Sequence, residues 1–361
     1  MKHYLKLVGL FVVIGLLVLC ATSYLLDPYG IYANKDGAFA RKVAAADKGR
    51  TVKPYQALNS APYTLLVGNS RVEIGMPAEH AFYQGKPAYN MGLPGASVSM
   101  QYAYAMHAVE HNNSVKQVVI AVDFLDFTSA ADNIASTPDN SGWQWRLQGL
   151  NSDSFADKRR YIAERISLLF SLSALTDSVK TVLAQQSNVN ALNRFGFNDG
   201  RVYHFHVGNE GFAALYQQKA HEMQQRLSAR QWVFNQQSYH LNELDHFITR
   251  LKKQNIAVYL MINPYQQPYL DLLSQHKLDQ HLANWKHQMA QLSARHQLPL
   301  FDFAIASPMV TEIVDLKSKN ALDSPYFWEP AHYRPAFGDF ILSTIQTSDC
   351  RQLCNILIDK N

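Results

Sequence analysis

The apolar positions of this chain fall into one long run and several short ones. From 7 to 26 about twenty residues pass without a charge, enough for a helix to cross the hydrocarbon of a bilayer. Met1-Lys-His-Tyr-Leu-Lys6 precedes the run and Asp27 ends it. Runs of strand length follow at 63–67, 118–122, 257–262 and 299–303. Between them lie stretches with helical periodicity, at 98–111, 241–254 and 270–296. Strands alternating with helices predict an α/β fold, a three-layer α/β/α sandwich around a mainly parallel sheet.

Two regions break the rhythm. Residues 27–60 mix Gly, Ala, Lys and Arg with little apolar periodicity and predict a stalk. Residues 130–240 are rich in Asn, Gln, Ser and Asp. They hold one long helical candidate, 157–186, and an aromatic–histidine patch, Tyr203-His204-Phe205-His206. This region predicts a helical insertion bordering the site. The expected organisation is therefore an anchor at 1–26, a stalk at 27–60 and an α/β domain at 61–361.

The first run carries the compartment. A cleaved signal peptide is the rival to an anchor, but the apolar core is longer than usual, and Ala21-Thr22-Ser23 is a poor cleavage site. Leu19 before Cys20 is too bulky for a typical lipoprotein signal. The expectation is an uncleaved single-pass helix in a bacterial inner membrane. Its short basic end would lie in the cytoplasm and the remainder in the periplasm or outside. In an oxidising space Cys350 and Cys354 can pair or remain free thiols. The net charge of +4 changes little, and no nucleic-acid partner is expected.

Candidate chemistry sits in three short segments. Gly68-Asn-Ser-Arg71 follows the first strand run, and Gly68 and Asn69 suit a tight turn through left-handed backbone angles. That turn would put Ser70 at the carboxyl edge of a sheet, where open α/β folds bind ligands. Trp328-Glu-Pro-Ala-His-Tyr333 supplies a carboxylate and an imidazole three residues apart. A serine hydroxyl needs an imidazole to take its proton, and the imidazole needs an acid to fix its tautomer. Ser70, His332 and Glu329 fill those roles. Asn90-Met-Gly92, within Tyr89-Asn-Met-Gly-Leu-Pro-Gly-Ala-Ser97, offers a backbone N–H and an amide to an oxyanion, beside the N–H of Ser70.

In order and content these segments resemble the SGNH (GDSL-like) hydrolase superfamily, over roughly 61–130 and 255–347. The C-terminal block, with Gly338 behind it, is similar to a membrane-anchored branch near the alginate O-acetyltransferases. The resemblance implies Ser70 as nucleophile, His332 as base, Gly92 as the second-block glycine, and Glu329 where the family usually has aspartate. The third-block asparagine is absent: the corresponding strand ends in Asp123-Phe-Leu-Asp126. An aspartate anion cannot donate to an oxyanion, which leaves Asn263 or Asn90 as substitutes.

The resemblance implies O-acetylation of a cell-surface or exported polysaccharide through an acyl-serine, with no metal or cofactor and with an acetyl-exporting membrane protein as partner. A carbohydrate esterase and a non-catalytic glycan-binding assembly factor are the alternatives. Trp328 and Tyr333 are candidates to stack on sugar rings, set against core packing. Arg71 can bind an anionic group or cap a carbonyl. His204 and His206 would face one way on a strand, but no third metal ligand accompanies them.

Overall fold

A computed structural model describes residues 1–32, 39–130, 142–229, 231–235 and 238–357. Six strands form the central sheet: β1 Thr64–Gly68, β2 Ala88–Gly92, β3 Gln117–Val122, β4 Ala257–Ile262, β5 Leu300–Asp302 and β6 Asn355–Leu357. Their order is β6-β5-β4-β3-β1-β2. All neighbours pair in parallel except β5 and β6, which are antiparallel. The protein is thus α/β with a mainly parallel sheet. The four sequence runs are β1, β3, β4 and β5. The edge strands β2 and β6 complete the sheet; Asn90 interrupts the apolar residues of β2, and β6 opens on Asn355.

Strand residues alternate between two cores, as the two-residue pleat requires. Leu65, Val67, Val118, Ile120, Leu260 and Ile262 face one side. There they meet helices α5 (Val98–His111), α10 (Tyr239–Lys253) and α11 (Asp279–Arg295). Leu66, Val119, Ala121 and Met261 face the other, against α4 (Ser70–Gly75) and α12 (Pro335–Thr347). Both faces are covered, so the central strands read as continuous apolar runs.

The chain enters through α1 (Lys2–Leu26), an exposed apolar helix of mean hydropathy 2.5, as a signal sequence or a single membrane anchor requires. Residues 27–60 depart from the expected stalk. They hold α2 (Val43–Asp47) and α3 (Gly49–Ser60), and Tyr29, Ile31, Ala44, Ala45, Val52 and Tyr55 are buried together. The apolar residues of this segment are few, but they are spaced to cover one small core shared with Leu168, Ala174 and Leu192.

Helices also dominate the described part of the middle region: α6 (Phe155–Ser167), α7 (Leu172–Leu183), α8 (Arg201–Glu210) and α9 (Phe212–Ser228). The single helix expected over 157–186 is two, bent by 42°. Ser171 makes the break by capping α7, its side chain accepting from Ala174 N at 3.0 Å. His204 and His206 lie on α8, where residues two apart do not share a face. His204 packs edge-on to Trp328. Cys350 and Cys354 are joined in a disulfide.

Candidate functional site

Sheet order puts the first-strand serine beside the third strand. The chain runs from β1 outward to β2, then returns to β3 on the other side of β1, so the carboxyl ends of β1 and β3 flank a topological switch point, where α/β sheets leave a crevice. Ser70 follows β1 and Asp123 follows β3. The turn before Ser70 differs from expectation. Asn69 is extended, with φ −98°, and acts as the N-cap of α4, its side chain accepting from Arg71 N at 3.0 Å.

Ser70 is brought to His332, although 262 residues separate them. Its Oγ lies 2.8 Å from His332 Nε2. The Nδ1 of His332 hydrogen-bonds Glu329 Oε1, and Glu329 Oε2 accepts from Ala331 N at 2.9 Å. Glu329 and His332 lie on a tight antiparallel pair, Phe327–Glu329 with His332–Tyr333. Glu329 is fully buried. Burial pushes its pKa up, but the imidazole and the Ala331 N–H outweigh this and hold it below the usual value.

Close packing brings the two segments together. A Cβ on Gly75 would lie 2.3 Å from the Tyr333 ring, and one on Gly338 would lie 2.1 Å from the Gly75 carbonyl. Only glycine lets the end of α4 seat against both the histidine hairpin and α12. Tyr333 is accordingly a core residue, its hydroxyl donating to Asn263 Oδ1 at 3.2 Å. Trp328 is likewise buried, stacked on Tyr203 at 5.2 Å with Arg334 over its ring. Neither borders the cavity, so sugar stacking on these two rings is corrected to packing.

Arg71 is held from several sides. Its guanidinium pairs with Asp123 at 2.8 Å, donates to Ala331 O at 2.6 Å and lies over the rings of Tyr265 and Tyr269. The bond to Ala331 O ties the serine turn to the histidine hairpin, and Arg71 also borders the cavity.

The oxyanion donors also need correction. Gly92 N–H donates to Asn90 Oδ1 at 2.8 Å, and Asn90 Nδ2 donates to Val72 O at 2.8 Å. The space a Gly92 Cβ would need holds the backbone of Glu73, so this glycine lets β2 approach α4. Asn263 Nδ2 donates to Asp123 Oδ2 at 2.9 Å. All three serve the framework. Ser70, first residue of α4, keeps its place beside the cavity, joined by the segment 95–97.

That cavity has a volume of about 460 Å³ and is bordered by Ser70, His332, Asp126 and Tyr269 and by Lys219, Met223 and Arg226 of α9. The α9 wall went unread in the sequence, because its polar and apolar residues have the pattern of any surface helix. Asp126 stood in plain view after the β3 run. Beneath α4, Lys53 and Glu73 form a buried ion pair at 2.9 Å, and Lys53 also donates to Gly92 O at 2.5 Å. Lys53 lies in the segment expected as stalk, which hid it. Among the described residues no group of three or more His, Cys, Asp or Glu is placed to hold a metal.

No protein-family model and no curated protein matches the sequence.

Asp126 titrates within the cavity. Burial first, then neighbouring Asp123, push it up to about 6, against the pull of Arg71 and the hydrogen bond from Asn69. In the unfolded chain it ionises near 3.8. The unfolded state therefore releases its proton first, and stability falls as pH rises from about 4 to 6, staying reduced above. Asp126→Asn keeps an oxygen acceptor and removes the charge. At pH 7.5 the variant is expected to be more stable, by roughly 1–3 kcal/mol. At pH 3.5 the difference should vanish; urea midpoints at the two pH values check this.

Proposed function

We propose that this protein is a serine acyltransferase of SGNH type, anchored by α1 with its α/β body in the periplasm or outside, acetylating a cell-surface or exported polysaccharide. One observation carries the reading: the Ser70–His332–Glu329 relay, with 2.8 Å from Oγ to Nε2, opening onto the cavity at the switch point. A buried structural serine has no need of an imidazole oriented by a fully buried carboxylate.

In this mechanism Ser70 Oγ attacks the carbonyl carbon of an acyl ester while His332 Nε2 takes its proton. Glu329 stabilises the imidazolium and stays ionised, in keeping with its lowered pKa. The backbone N–H of Ser70, at the first position of α4 where helical N–H groups have no intrahelical acceptor, supports the oxyanion. The tetrahedral adduct collapses, the donor alcohol leaves with the proton from His332, and an acyl-serine remains. A sugar hydroxyl then attacks, giving its proton to His332, and the acyl group passes to the glycan. An acetyl-exporting membrane protein is the proposed source of the donor.

The test is intact-mass analysis of the full chain in detergent after exposure to an activated acetyl ester. A single acetyl adduct on Ser70, discharged faster by a polysaccharide than by water, supports the transferase. An adduct discharged by water alone makes the protein an esterase. A Ser70 that takes no acetyl group from any donor ends the catalytic reading.

A further inference from the structure

Most of the large apolar side chains left exposed outside α1 lie in residues 150–189. Phe155, Ile162 and Ile166 recur at helical spacing along α6, and Leu172, Val179 and Leu183 along α7, so each helix carries one apolar stripe. Phe155 and Leu183 are 81% and 78% exposed. The inner face of α7 is fixed: Asp177 pairs with Lys48 at 2.7 Å and accepts from Tyr29 at 2.7 Å. A smaller exposed apolar set lies at 313–322, with Ile313, Leu316 and Leu322.

The surroundings of the α6 and α7 stripes say what covers them. The helix α7 packs against α1. Tyr24 of α1 rests on Tyr32, whose hydroxyl donates to Arg165 O of α6 at 3.0 Å. The stripes therefore begin where α1 leaves its apolar stretch. Tyr24, Tyr32 and Tyr161 cluster there with Arg165, the aromatic and cationic mixture suited to a membrane–water boundary. Lys158, Arg159, Arg160 and Lys180 stand along the same two helices, with Arg160 and Lys180 largely exposed and only loosely paired, at 3.8 Å, with Asp157 and Asp177. Across their 42° bend the pair is long and apolar enough to enter a bilayer.

We propose that α6 and α7 form a second membrane contact, lying in the headgroup–acyl boundary of the leaflet from which α1 emerges, with their cations on anionic headgroups. The inference rests on α1 being a membrane anchor. Two contacts fix the orientation of the body, where one helix alone leaves it free to swivel.

The experiment uses the full chain in vesicles of phosphatidylcholine and phosphatidylglycerol. In a Cys20→Ser background, single cysteines are placed by Phe155→Cys, Leu172→Cys or Leu183→Cys and labelled with an environment-sensitive dye. Val12→Cys reports on α1, and Lys253→Cys, at an exposed helix end, reports on water. Lipid-borne nitroxide is expected to quench the labels at 12, 155, 172 and 183 several-fold more than the label at 253, with aqueous acrylamide showing the reverse. A label at 12 quenched by lipid beside acrylamide-accessible labels at 155, 172 and 183 overturns the inference and leaves the anchor standing. Stripe labels shielded from both quenchers place protein, such as a second copy, on the surface and also overturn it. If lipid fails to quench the label at 12, the anchor reading falls and takes the inference with it.

Discussion

Ser70→Ala is expected to lower kcat/KM for acyl transfer by at least ~10³-fold and to eliminate the acetyl adduct, with circular dichroism unchanged. The substitution removes only the hydroxyl and leaves the backbone N–H in place, and the contact of that hydroxyl is His332 Nε2 at 2.8 Å. The helix start is held by Asn69, not by Ser70, so the fold does not depend on this oxygen. His332→Ala should match the serine variant, because relay members act as a unit and their losses do not add. Glu329→Gln should cost about 10²–10⁴-fold. The amide keeps a hydrogen-bond partner for His332 but can no longer stabilise the imidazolium, and it can favour the wrong tautomer. Full acyl transfer by the Ser70→Ala protein would end the mechanism.

Lys53→Met should destabilise the protein by about 3–5 kcal/mol, a large share of the stability of an ordinary domain. The ammonium of Lys53 is fully buried between Glu73 and the Gly92 carbonyl. Burial lowers its pKa despite the attraction of Glu73, so the pair persists because each charge would be worse off alone. Removing the lysine strands the Glu73 carboxylate under α4, with Asn198 Nδ2 at 3.1 Å as its other partner. Adding Glu73→Gln to Lys53→Met should recover part of the loss, since no buried charge then remains. By contrast Lys219→Met, which breaks an ion pair with Glu222 at the cavity rim, should cost no more than about 1 kcal/mol. Urea midpoints of the full chain in detergent separate these cases. A Lys53→Met protein as stable as the parent would show that the pair contributes nothing.

The strands were legible where burial on both faces makes them continuously apolar, as at β1, β3 and β4. The edge strands β2 and β6, each carrying an asparagine, offered no such run. The meeting of Ser70, Glu329 and His332 was legible because the chemistry proposed for them needs particular residue types in a particular order. The framework around them was harder to see. Gly92, Asn90 and Asn263 have residue types that suit an oxyanion hole and hydrogen bonds that point elsewhere. Trp328 and Tyr333 flank the histidine in sequence, yet the tight hairpin turns them into the core. The buried role of Lys53 lay beyond periodicity, since a lone lysine in a polar stretch signals solvent until its partner at Glu73 is placed.

The folding of α2 and α3 into the body bears on where the protein can work. A free segment of some thirty residues would extend roughly 100 Å and let a tethered enzyme sweep a volume above the bilayer. With Tyr29, Val52 and Tyr55 packed into a core and Lys53 locked beneath α4, that slack is taken up. With the proposed anchor and activity, a protein of this build would meet its substrates at a fixed altitude, and its turnover would follow the number of glycan chains per unit area of membrane more than their concentration in the surrounding fluid.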